Sequence, residues 1–317
     1  MRVRILYHDH CFDGAAAAAF FSRFLEDKFH PGAEFAFTGL AHKATQLFDD
    51  AMFDGDVNAI VDFKYSAHPR LTWWFDHHQS AFLSPADAEH FEREASERKV
   101  YDPSFRSCTG FIAAVTRRRW GYEAADLAEL VEWADVIDGA QYPDAKTAVE
   151  MPAAAMKLTL VIEGAQGSEV VQQVIGWMRR RTLEAIIGDP EIQRIYRPLH
   201  ARHLSSIDII RSSARRGNGV VSFDLIGYDL EGYNKFIPYY LFPDSVYSVA
   251  VSTSSFRTKV SVGSNPWAPA PPRHNLATIC ERYGGGGHAR VGAISFRTGE
   301  VEAARQVAAE IAEQLER

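Results

Sequence analysis

The chain has 317 residues with a formal net charge of −7, and 46% of the residues are hydrophobic and 24% charged. This length and balance predict a globular protein with two domains. The acidic charge argues against long duplex nucleic acid as a partner, because that partner needs an extended basic surface. Neither a signal peptide nor an apolar run of about eighteen residues is present, so we expect a cytoplasmic protein without a membrane partner. Three cysteines, Cys11, Cys108 and Cys280, predict no disulfide framework.

The first half of the chain alternates strand and helix signals. Strands are predicted over residues 3–7, 57–63, 71–75 and 99–102, and helices over 15–25, 111–118 and 124–134. Such alternation predicts an α/β fold with a mostly parallel sheet flanked by helices. Ligands of these sheets bind at the carboxyl ends of the strands, so side chains that follow the strands are expected to converge.

The second half of the chain predicts a smaller α/β domain. A long helix is predicted over residues 168–187, and Gly188-Asp189-Pro190 then breaks it and begins a linker. Strands are predicted over residues 220–226, 246–252, 259–263 and 293–296, and helices over 276–283 and 300–315. The predicted domains therefore span residues 1–188 and 195–317.

The triplet Asp76-His77-His78 follows the apolar run over residues 71–75. Carboxylate and neutral imidazole are common ligands of Mn²⁺, Fe²⁺ and Zn²⁺. Consecutive residues on an extended strand face opposite ways, so only one of the two histidines is expected to share a metal with Asp62. Asp62 itself ends a buried strand, where a carboxylate is costly unless it is paired or binds a metal. Taken alone, each motif is more often a solvated strand end or a turn-initiating cap.

The segment YHDHCFDG over residues 7–14 forms a strand-to-helix turn that is rich in potential metal ligands. Gly14 allows a tight bend of the backbone and gives Asp13 a place at the helix N-terminus. A simple N-cap role for Asp13 is the alternative. The density of potential ligands in the segment favours a metal role.

Two acids, Asp135 and Asp138, follow the predicted helix over residues 124–134. An exposed helix end is the ordinary interpretation of such residues. Acids at a helix C-terminus oppose the macrodipole, however, and this small electrostatic cost favours a functional reason. Either residue could supply the last carboxylate of a metal site.

Four consecutive glycines, Gly284, Gly285, Gly286 and Gly287, precede His288 and Arg290. Their backbone N–H groups carry no side-chain obstruction, so the segment can wrap a phosphate with His288 and Arg290 as charged donors. The alternative is a flexible hairpin or a helix cap, since glycine runs are common in linkers. Arg257 is a further candidate for binding phosphate or base.

Taken in order, these motifs resemble those of the DHH superfamily of phosphoesterases with a DHH-associated C-terminal domain. The motifs are Asp13-Gly14, Asp62, Asp76-His77-His78, Asp135 or Asp138, and GGGGH over residues 284–288. The resemblance spans nearly the whole chain and is greatest to oligoribonuclease-like and nucleotide phosphodiesterase-like members. It implies a metal-dependent hydrolase with two Mn²⁺ ions, with Mg²⁺ or Co²⁺ as alternatives.

The resemblance also implies a role for each residue. Asp62 would bridge the two ions, and His77 would be a direct ligand that Asp76 orients. His78 would face the phosphate, which makes Asp62, Asp76 and His78 the implied catalytic residues. The implied metal ligands are His8, Asp13, Asp62, His77 and either Asp135 or Asp138, of which Asp135 is preferred for its Ala-Asp-Val context.

One motif departs from the family pattern, which often shows a His, three residues, an Asp, one residue and a second Asp. Aligning the second Asp with Asp13 places Cys11 at the first Asp and Tyr7 at the His, with His8 one position off. The sequence therefore leaves open whether His8, Asp9 or Cys11 completes the first metal site. A Cys11 thiolate would favour softer metals.

The expected substrate is short. Two domains imply a cleft, and the negative net charge favours a short oligonucleotide, a dinucleotide or a nucleotide over long chains. The alternatives are an exopolyphosphatase or nucleotide phosphomonoesterase, and a non-catalytic nucleotide-binding sensor, which Cys11 in place of an Asp would favour. A homodimer is left open.

Overall fold

The computed structural model describes residues 1–41, 48–228, 230 and 232–317. The chain divides into two compact units. The first unit comprises Met1–Tyr142 and Pro152–Leu199, and the second comprises Pro143–Met151 and His200–Arg317. The short segment Pro143–Met151 thus belongs with the C-terminal part of the chain, which the sequence does not predict.

A five-stranded parallel sheet forms the centre of the first unit. Its strands are β1 (Arg2–His8), β2 (Glu34–Leu40), β3 (Val57–Val61), β4 (Trp73–Asp76) and β5 (Lys99–Tyr101). They lie in the order β2-β1-β3-β4-β5, and every pairing is parallel. The predicted α/β fold is therefore confirmed. Strand β2 was not predicted.

Helices flank this sheet and continue through the second unit. They are α1 (Phe12–Lys28), α2 (Pro85–Glu94), α3 (Cys108–Trp120), α4 (Ala128–Asp138), α5 (Ala145–Glu150), α6 (Ala154–Gly164), α7 (Glu169–Met178), α8 (Leu183–Ile187), α9 (Pro190–Ser213), α10 (Ile237–Leu241), α11 (Leu276–Glu281) and α12 (Val301–Leu315), with 3₁₀ turns at Asp50–Phe53 and Ala125–Leu127. In the described part of the chain, none of them combines the length and the apolar character that a membrane span requires.

The prediction of one helix over residues 168–187 is wrong, because two helices, α7 and α8, occupy this region. Thr182 begins the second of them, and its Oγ accepts a hydrogen bond from the backbone N–H of Ala185 at 3.2 Å. The predicted linker after Gly188 is also wrong, since residues 190–213 form α9. The two compact units divide inside this helix, between Leu199 and His200.

Helix α1 packs into the core of the first unit along most of its length. Its alanine run, Ala15–Ala19, is fully buried, and Phe21 and Phe24 lie edge-on to the ring of Trp73 on β4. Alanine side chains allow a helix to approach its neighbours closely because they fill little space. The start of α1 is thereby held near the carboxyl end of β1: a Cβ atom added at Gly14 would lie 2.1 Å from the carbonyl oxygen of His8.

The second unit is built on a six-stranded mixed sheet. Its strands are β6 (Arg215–Arg216), β7 (Val220–Asp224), β8 (Tyr247–Thr253), β9 (Thr258–Ser264), β10 (Gly286–His288) and β11 (Val291–Phe296), in the order β10-β11-β9-β8-β7-β6. Only the β7–β8 pairing within it is parallel. Helices α11 and α12 cover its apolar face. This arrangement confirms the predicted second α/β region.

Candidate metal centre

The carboxyl ends of three neighbouring strands place the predicted ligands side by side. His8 is the last residue of β1, Asp62 directly follows β3, and Asp76 ends β4. Tyr7 is paired with Val61, and Val61 with Phe75. Because the strands are parallel and in this register, the three ends lie at one edge of the sheet, as predicted.

Asp62 adopts a backbone conformation that few residues accept. Its φ is +56°, in the left-handed region, which Asp tolerates better than most non-glycine residues. Its backbone N–H donates to the carbonyl oxygen of Phe75 at 2.9 Å, which keeps the residue attached to β4. Strained conformations of this kind are concentrated at functional sites.

The carboxylate of Asp62 is buried without a conventional partner. The residue is 1% exposed, and neither carboxylate oxygen makes a hydrogen bond to another described residue. A buried charge in that state is strongly unfavourable unless a cation or a proton donor compensates it. The position therefore suits a carboxylate that binds a cation.

The two oxygens of Asp62 face different imidazoles. Oδ2 lies 3.4 Å from Nδ1 of His8, and Oδ1 lies 3.5 Å from Nε2 of His77 and 3.7 Å from Nδ1 of His78. These separations exceed ordinary hydrogen bonds. They match the spacing of about 3.4 Å between two ligands that each lie about 2.1 Å from a tetrahedral ion. The spacing therefore suits carboxylate and imidazole ligands of a metal ion.

His77 points one ring nitrogen into a cluster of carboxylates. Its Nδ1 lies 3.1 Å from the carbonyl oxygen of Phe105, and because a carbonyl can only accept, Nδ1 carries the hydrogen. Its Nε2 then lies 3.4 Å from Oδ2 of Asp138 and 3.7 Å from Oδ2 of Asp13. A backbone carbonyl that fixes the tautomer in this way is a common support for a metal-binding histidine.

Asp13 is held by the N-terminus of α3. Its Oδ2 accepts from the backbone N–H of Cys108 at 2.6 Å, and its Oδ1 accepts from the backbone N–H and the hydroxyl of Thr109 at 3.0 and 2.6 Å. The N-cap of α1 is Cys11, so Asp13 is not the cap of its own helix. The N–H groups of α3 instead fix a buried carboxylate beside His77.

Asp138, rather than Asp135, is the acid of α4 that faces His77. Asp135 accepts a hydrogen bond from the hydroxyl of Ser107 at 2.5 Å, and a Cβ atom at Gly110 would lie 2.5 Å from its Oδ1. Asp135 therefore packs against the start of α3. The preference for Asp135 is not supported by these contacts, and Asp138 is the better candidate for the last ligand.

Asp76 orients His78 rather than the ring of His77. Its Oδ1 accepts from the backbone N–H of His77 at 2.8 Å and lies 2.8 Å from Nδ1 of His78. The expectation that Asp76 orients the His77 ring does not hold, because the carbonyl of Phe105 occupies that place. The hydroxyl of Tyr101 also donates to the carbonyl oxygen of His78 at 3.0 Å.

Within the segment 7–14, His8 and Cys11 lie near Asp62, whereas Asp9 is engaged elsewhere. Asp9 accepts hydrogen bonds from the hydroxyl of Tyr7 at 3.2 Å and from the hydroxyl of Ser168. His8, Cys11 and Asp62 form a group whose possible ligand atoms lie within 4.8 Å of one another. The described residues contain two further groups of this kind, Asp62-His77-His78 and Asp13-His77-Asp138.

Comparison with known proteins gives matches among solved structures. No protein-family model matches the chain, and no curated protein matches it. The pGpG-specific phosphodiesterase PggH from Vibrio cholerae matches with a TM-score of 0.70 at 18% identity, covering 99% of both chains. The DHH domain of PF0399 matches with a TM-score of 0.56 at 14% identity, covering 99% of this chain and 87% of that one. RecJ from Thermus thermophilus, solved with Mn²⁺, matches with a TM-score of 0.57 at 14% identity, covering 99% of this chain and 52% of that one.

The chain has the DHH fold. The likenesses to PggH and to the DHH domain of PF0399 extend over nearly all of this chain and show a shared fold. Two of the motifs, Asp62 and the triplet Asp76-His77-His78, lie at one edge of the parallel sheet. The triplet that gives the fold its name lies at the end of β4.

The buried carboxylates and imidazoles around Asp62 shift the pKa values of one another. Burial and then the charge of Asp62 raise the pKa of Asp13 and of Asp138. Burial alone would lower the pKa of His77, but the carboxylates of Asp62 and Asp13 raise it to about 10. Burial would raise the pKa of Asp62, but His77 and His8 hold it well below its usual range. A divalent ion would supply the charge that these carboxylates compete for.

The glycine run of the second unit forms a hairpin. Gly286–His288 is strand β10, which pairs with β11 in antiparallel register. A Cβ atom would lie 2.3 Å from the carbonyl oxygen of Ala293 if added at Gly285, and 2.2 Å from that of Val291 if added at Gly287. The backbone therefore forms the hairpin that the sequence offered as an alternative. Close packing explains why residues 285 and 287 are glycines.

The charged candidates of the second unit lie at its surface. His288 and Arg290 are exposed. Nη1 of Arg257 donates to the hydroxyl of Ser295 at 3.0 Å, and its guanidinium lies 5.1 Å from the ring centroid of Phe256, which is 70% exposed. Phosphate or base binding by these residues stays a prediction.

Proposed function

We propose that this protein is a metal-dependent phosphodiesterase that hydrolyses short oligonucleotides or dinucleotides at a two-ion centre. The observation that carries the proposal is Asp62, a buried carboxylate without a conventional hydrogen bond, whose oxygens face two separate groups of metal-ligand side chains. The fold of known phosphodiesterases and exonucleases supports it.

The residues present fit two divalent ions that share Asp62. Asp13, His77 and Asp138 would hold one ion, and His8 would hold the other with a further donor. Carboxylate and imidazole suit Mn²⁺, the ion bound in the RecJ structure, and the same RecJ has been solved with Mg²⁺. Such ions supply Lewis-acid neutralisation of phosphate charge and lower the pKa of water towards neutrality.

The side chain of His78 would act on the phosphate. Its Nδ1 faces Asp76 at 2.8 Å, and because an ionised carboxylate only accepts, Nδ1 donates and the ring orientation is fixed. Burial alone would lower the pKa of His78, but Asp76 and Asp62 raise it. A partly exposed imidazolium can stabilise charge that develops on a phosphoryl oxygen, or protonate the leaving oxygen.

A dinucleotide is the first substrate to test. PggH is described as a pGpG-specific phosphodiesterase, and its match covers 99% of this chain and 99% of PggH. The acidic net charge also disfavours a surface that grips long nucleic acid.

The test measures Mn²⁺-dependent product release from 5′-phosphorylated dinucleotides, short RNA and polyphosphate. Asp62→Asn and His77→Ala are expected to reduce turnover by at least about a thousandfold, because each removes a ligand of the proposed centre. Asp208→Asn is the matched control, since its exposed carboxylate pairs only with Arg211 among described residues. Release of mononucleotides supports the proposal. Wild-type turnover in both site variants, or release of orthophosphate from polyphosphate alone, would contradict it.

A further inference from the structure

Cys11 lies in a place that its own helix does not explain. It is the N-cap residue of α1, in an extended conformation, and its side chain makes no capping hydrogen bond. N-cap positions favour Ser, Thr, Asp and Asn, whose oxygens accept from the first N–H groups of the helix. A thiol is a weak acceptor and contributes little there. Local helix stability therefore gives no reason for this residue.

The surroundings of Cys11 point to a ligand. Its Sγ, an imidazole nitrogen of His8 and a carboxylate oxygen of Asp62 lie within 4.8 Å of one another. Asp62 is 1% exposed, and both of its oxygens lack a hydrogen bond to any described residue. A carboxylate that is buried beside a thiol and an imidazole, and that accepts no hydrogen bond from any described residue, is a sign of a bound cation.

The backbone around Cys11 is fixed from several sides. His10 has a φ of +53°, which turns the chain between β1 and α1. The carboxylate of Asp9 is held by Tyr7 and Ser168, and Gly14 packs against the carbonyl of His8. The thiol is therefore presented by a rigid turn, as a metal ligand requires.

We propose that Cys11 is a thiolate ligand of the ion held by His8 and Asp62, which makes this half of the centre selective for softer ions. This inference rests on the two-ion centre of the proposed function. Thiolate and imidazole favour Zn²⁺, Co²⁺ or Fe²⁺, whereas the carboxylate-rich group Asp13-His77-Asp138 suits Mn²⁺ or Mg²⁺. Binding replaces the thiol proton with the metal, and the proton leaves to solvent. The centre would then hold two different metals.

The first test is absorption spectroscopy of the full chain titrated with Co²⁺ under reducing conditions. Wild type is expected to show a thiolate-to-cobalt charge-transfer band in the near ultraviolet that saturates at one equivalent. Cys11→Ser and Cys11→Asp are expected to lose this band and to keep the visible bands of Co²⁺ in the other half. Cys108→Ala and Cys280→Ala are the matched controls and are expected to keep it. A band that persists in both Cys11 variants, or its absence from wild type loaded with two ions, would overturn the inference.

The second test is metal preference, measured by competition between Zn²⁺ and Mn²⁺ for the same protein. Cys11→Asp replaces a soft donor with a hard one, so its Zn²⁺ affinity is expected to fall at least about tenfold, the scale seen when even indirect supports of a metal are lost. Its Mn²⁺ affinity is expected not to fall. Unchanged Zn²⁺ affinity would contradict the assignment. Thermal unfolding followed by circular dichroism establishes that each variant is folded, and the two Cys11 variants serve as alternatives if one is not.

The outcomes separate this inference from the proposed function. Wild type that hydrolyses dinucleotides with Mn²⁺ but shows no charge-transfer band would overturn the role of Cys11 and leave the function standing. Wild type that shows the band but hydrolyses no tested substrate would contradict the proposed function and support the thiolate ligand.

Discussion

At the scale of single residues, the proposed metal centre consists of side chains that are already oriented without an ion. His77 is oriented by the carbonyl of Phe105, and Asp13 by the N–H groups of Cys108 and Thr109. Asp62 is turned inwards by its left-handed backbone. Such preorganisation reduces the entropy that binding would otherwise lose.

Proton release on metal binding follows from the pKa of His77. Its pKa of about 10 means that the metal-free chain keeps the imidazole protonated at neutral pH, whereas an ion at Nε2 requires the neutral ring. Mn²⁺ affinity is therefore expected to rise with pH, by up to about tenfold per unit below that pKa for each proton released. Calorimetry in buffers of different ionisation enthalpy measures the released protons. An affinity that is flat between neutral and mildly alkaline pH, without proton release, would argue against this role of His77.

The sequence does not distinguish Asp135 from Asp138 as the last ligand. Asp135 and Asp138 are three positions apart on α4, so both lie near the same face of the helix. Only the packing of Ser107 and Gly110 against Asp135 shows which carboxylate is already engaged. Likewise, the triplet Asp76-His77-His78 does not indicate that the carbonyl oxygen of Phe105 orients the ring of His77.

At the scale of elements, the turn between β1 and α1 brings ligands together because α1 starts close to the sheet. Gly14 allows this approach, since any Cβ there would meet the carbonyl oxygen of His8. The sequence predicted this turn, together with β1, β3 and β4, because short apolar runs followed by acids have few other interpretations in an α/β chain.

The region around Pro190 was misinterpreted because the segment Gly188-Asp189-Pro190 both ends α8 and begins α9. Proline is favoured in the first turn of a helix. In addition, Oδ1 of Asp189 accepts a hydrogen bond from the backbone N–H of Glu191 at 3.1 Å.

Gly14→Ala is expected to displace the start of α1 from β1. The added methyl group would lie 2.1 Å from the carbonyl oxygen of His8, so the variant is expected to lose about 1–3 kcal/mol of unfolding free energy and to bind metal more weakly. Gly176→Ala is the matched control, because it adds the same methyl group inside α7 with nothing within 4 Å. The control is expected to be neutral or to gain up to about 1 kcal/mol from helix propensity. Denaturant unfolding measures both, and equal stability of the two variants would contradict the close approach.

At the scale of the whole molecule, two units of different architecture share one chain, and the described ligand groups all lie in the first. The sequence indicated both architectures. It did not assign Pro143–Met151 to the second unit, because that assignment depends on contacts between distant segments: Nδ2 of Asn234 donates to the carbonyl of Ala148 at 2.8 Å, and the hydroxyl of Tyr240 donates to Glu150 at 3.0 Å. Such pairings have no signal in local periodicity.

Metal binding is expected to stabilise the folded chain. An ion that binds only the folded state at a hundred times its dissociation constant adds about 2.7 kcal/mol to the free energy of unfolding. Mn²⁺ is therefore expected to shift the denaturant midpoint of wild type and of Asp208→Asn upwards, and a chelator should reverse the shift. In Asp62→Asn the shift is expected to be small. A midpoint that Mn²⁺ leaves unchanged in wild type would contradict a metal centre built from folded-state ligands.

The most direct measurement is a crystal structure grown with Mn²⁺, with the ions located by anomalous scattering. We expect two peaks about 3.5–4 Å apart, each in contact with a different oxygen of Asp62, one beside His8 and the other beside His77. An absence of peaks at this edge of the sheet, or ions bound there without contact to Asp62, would contradict it.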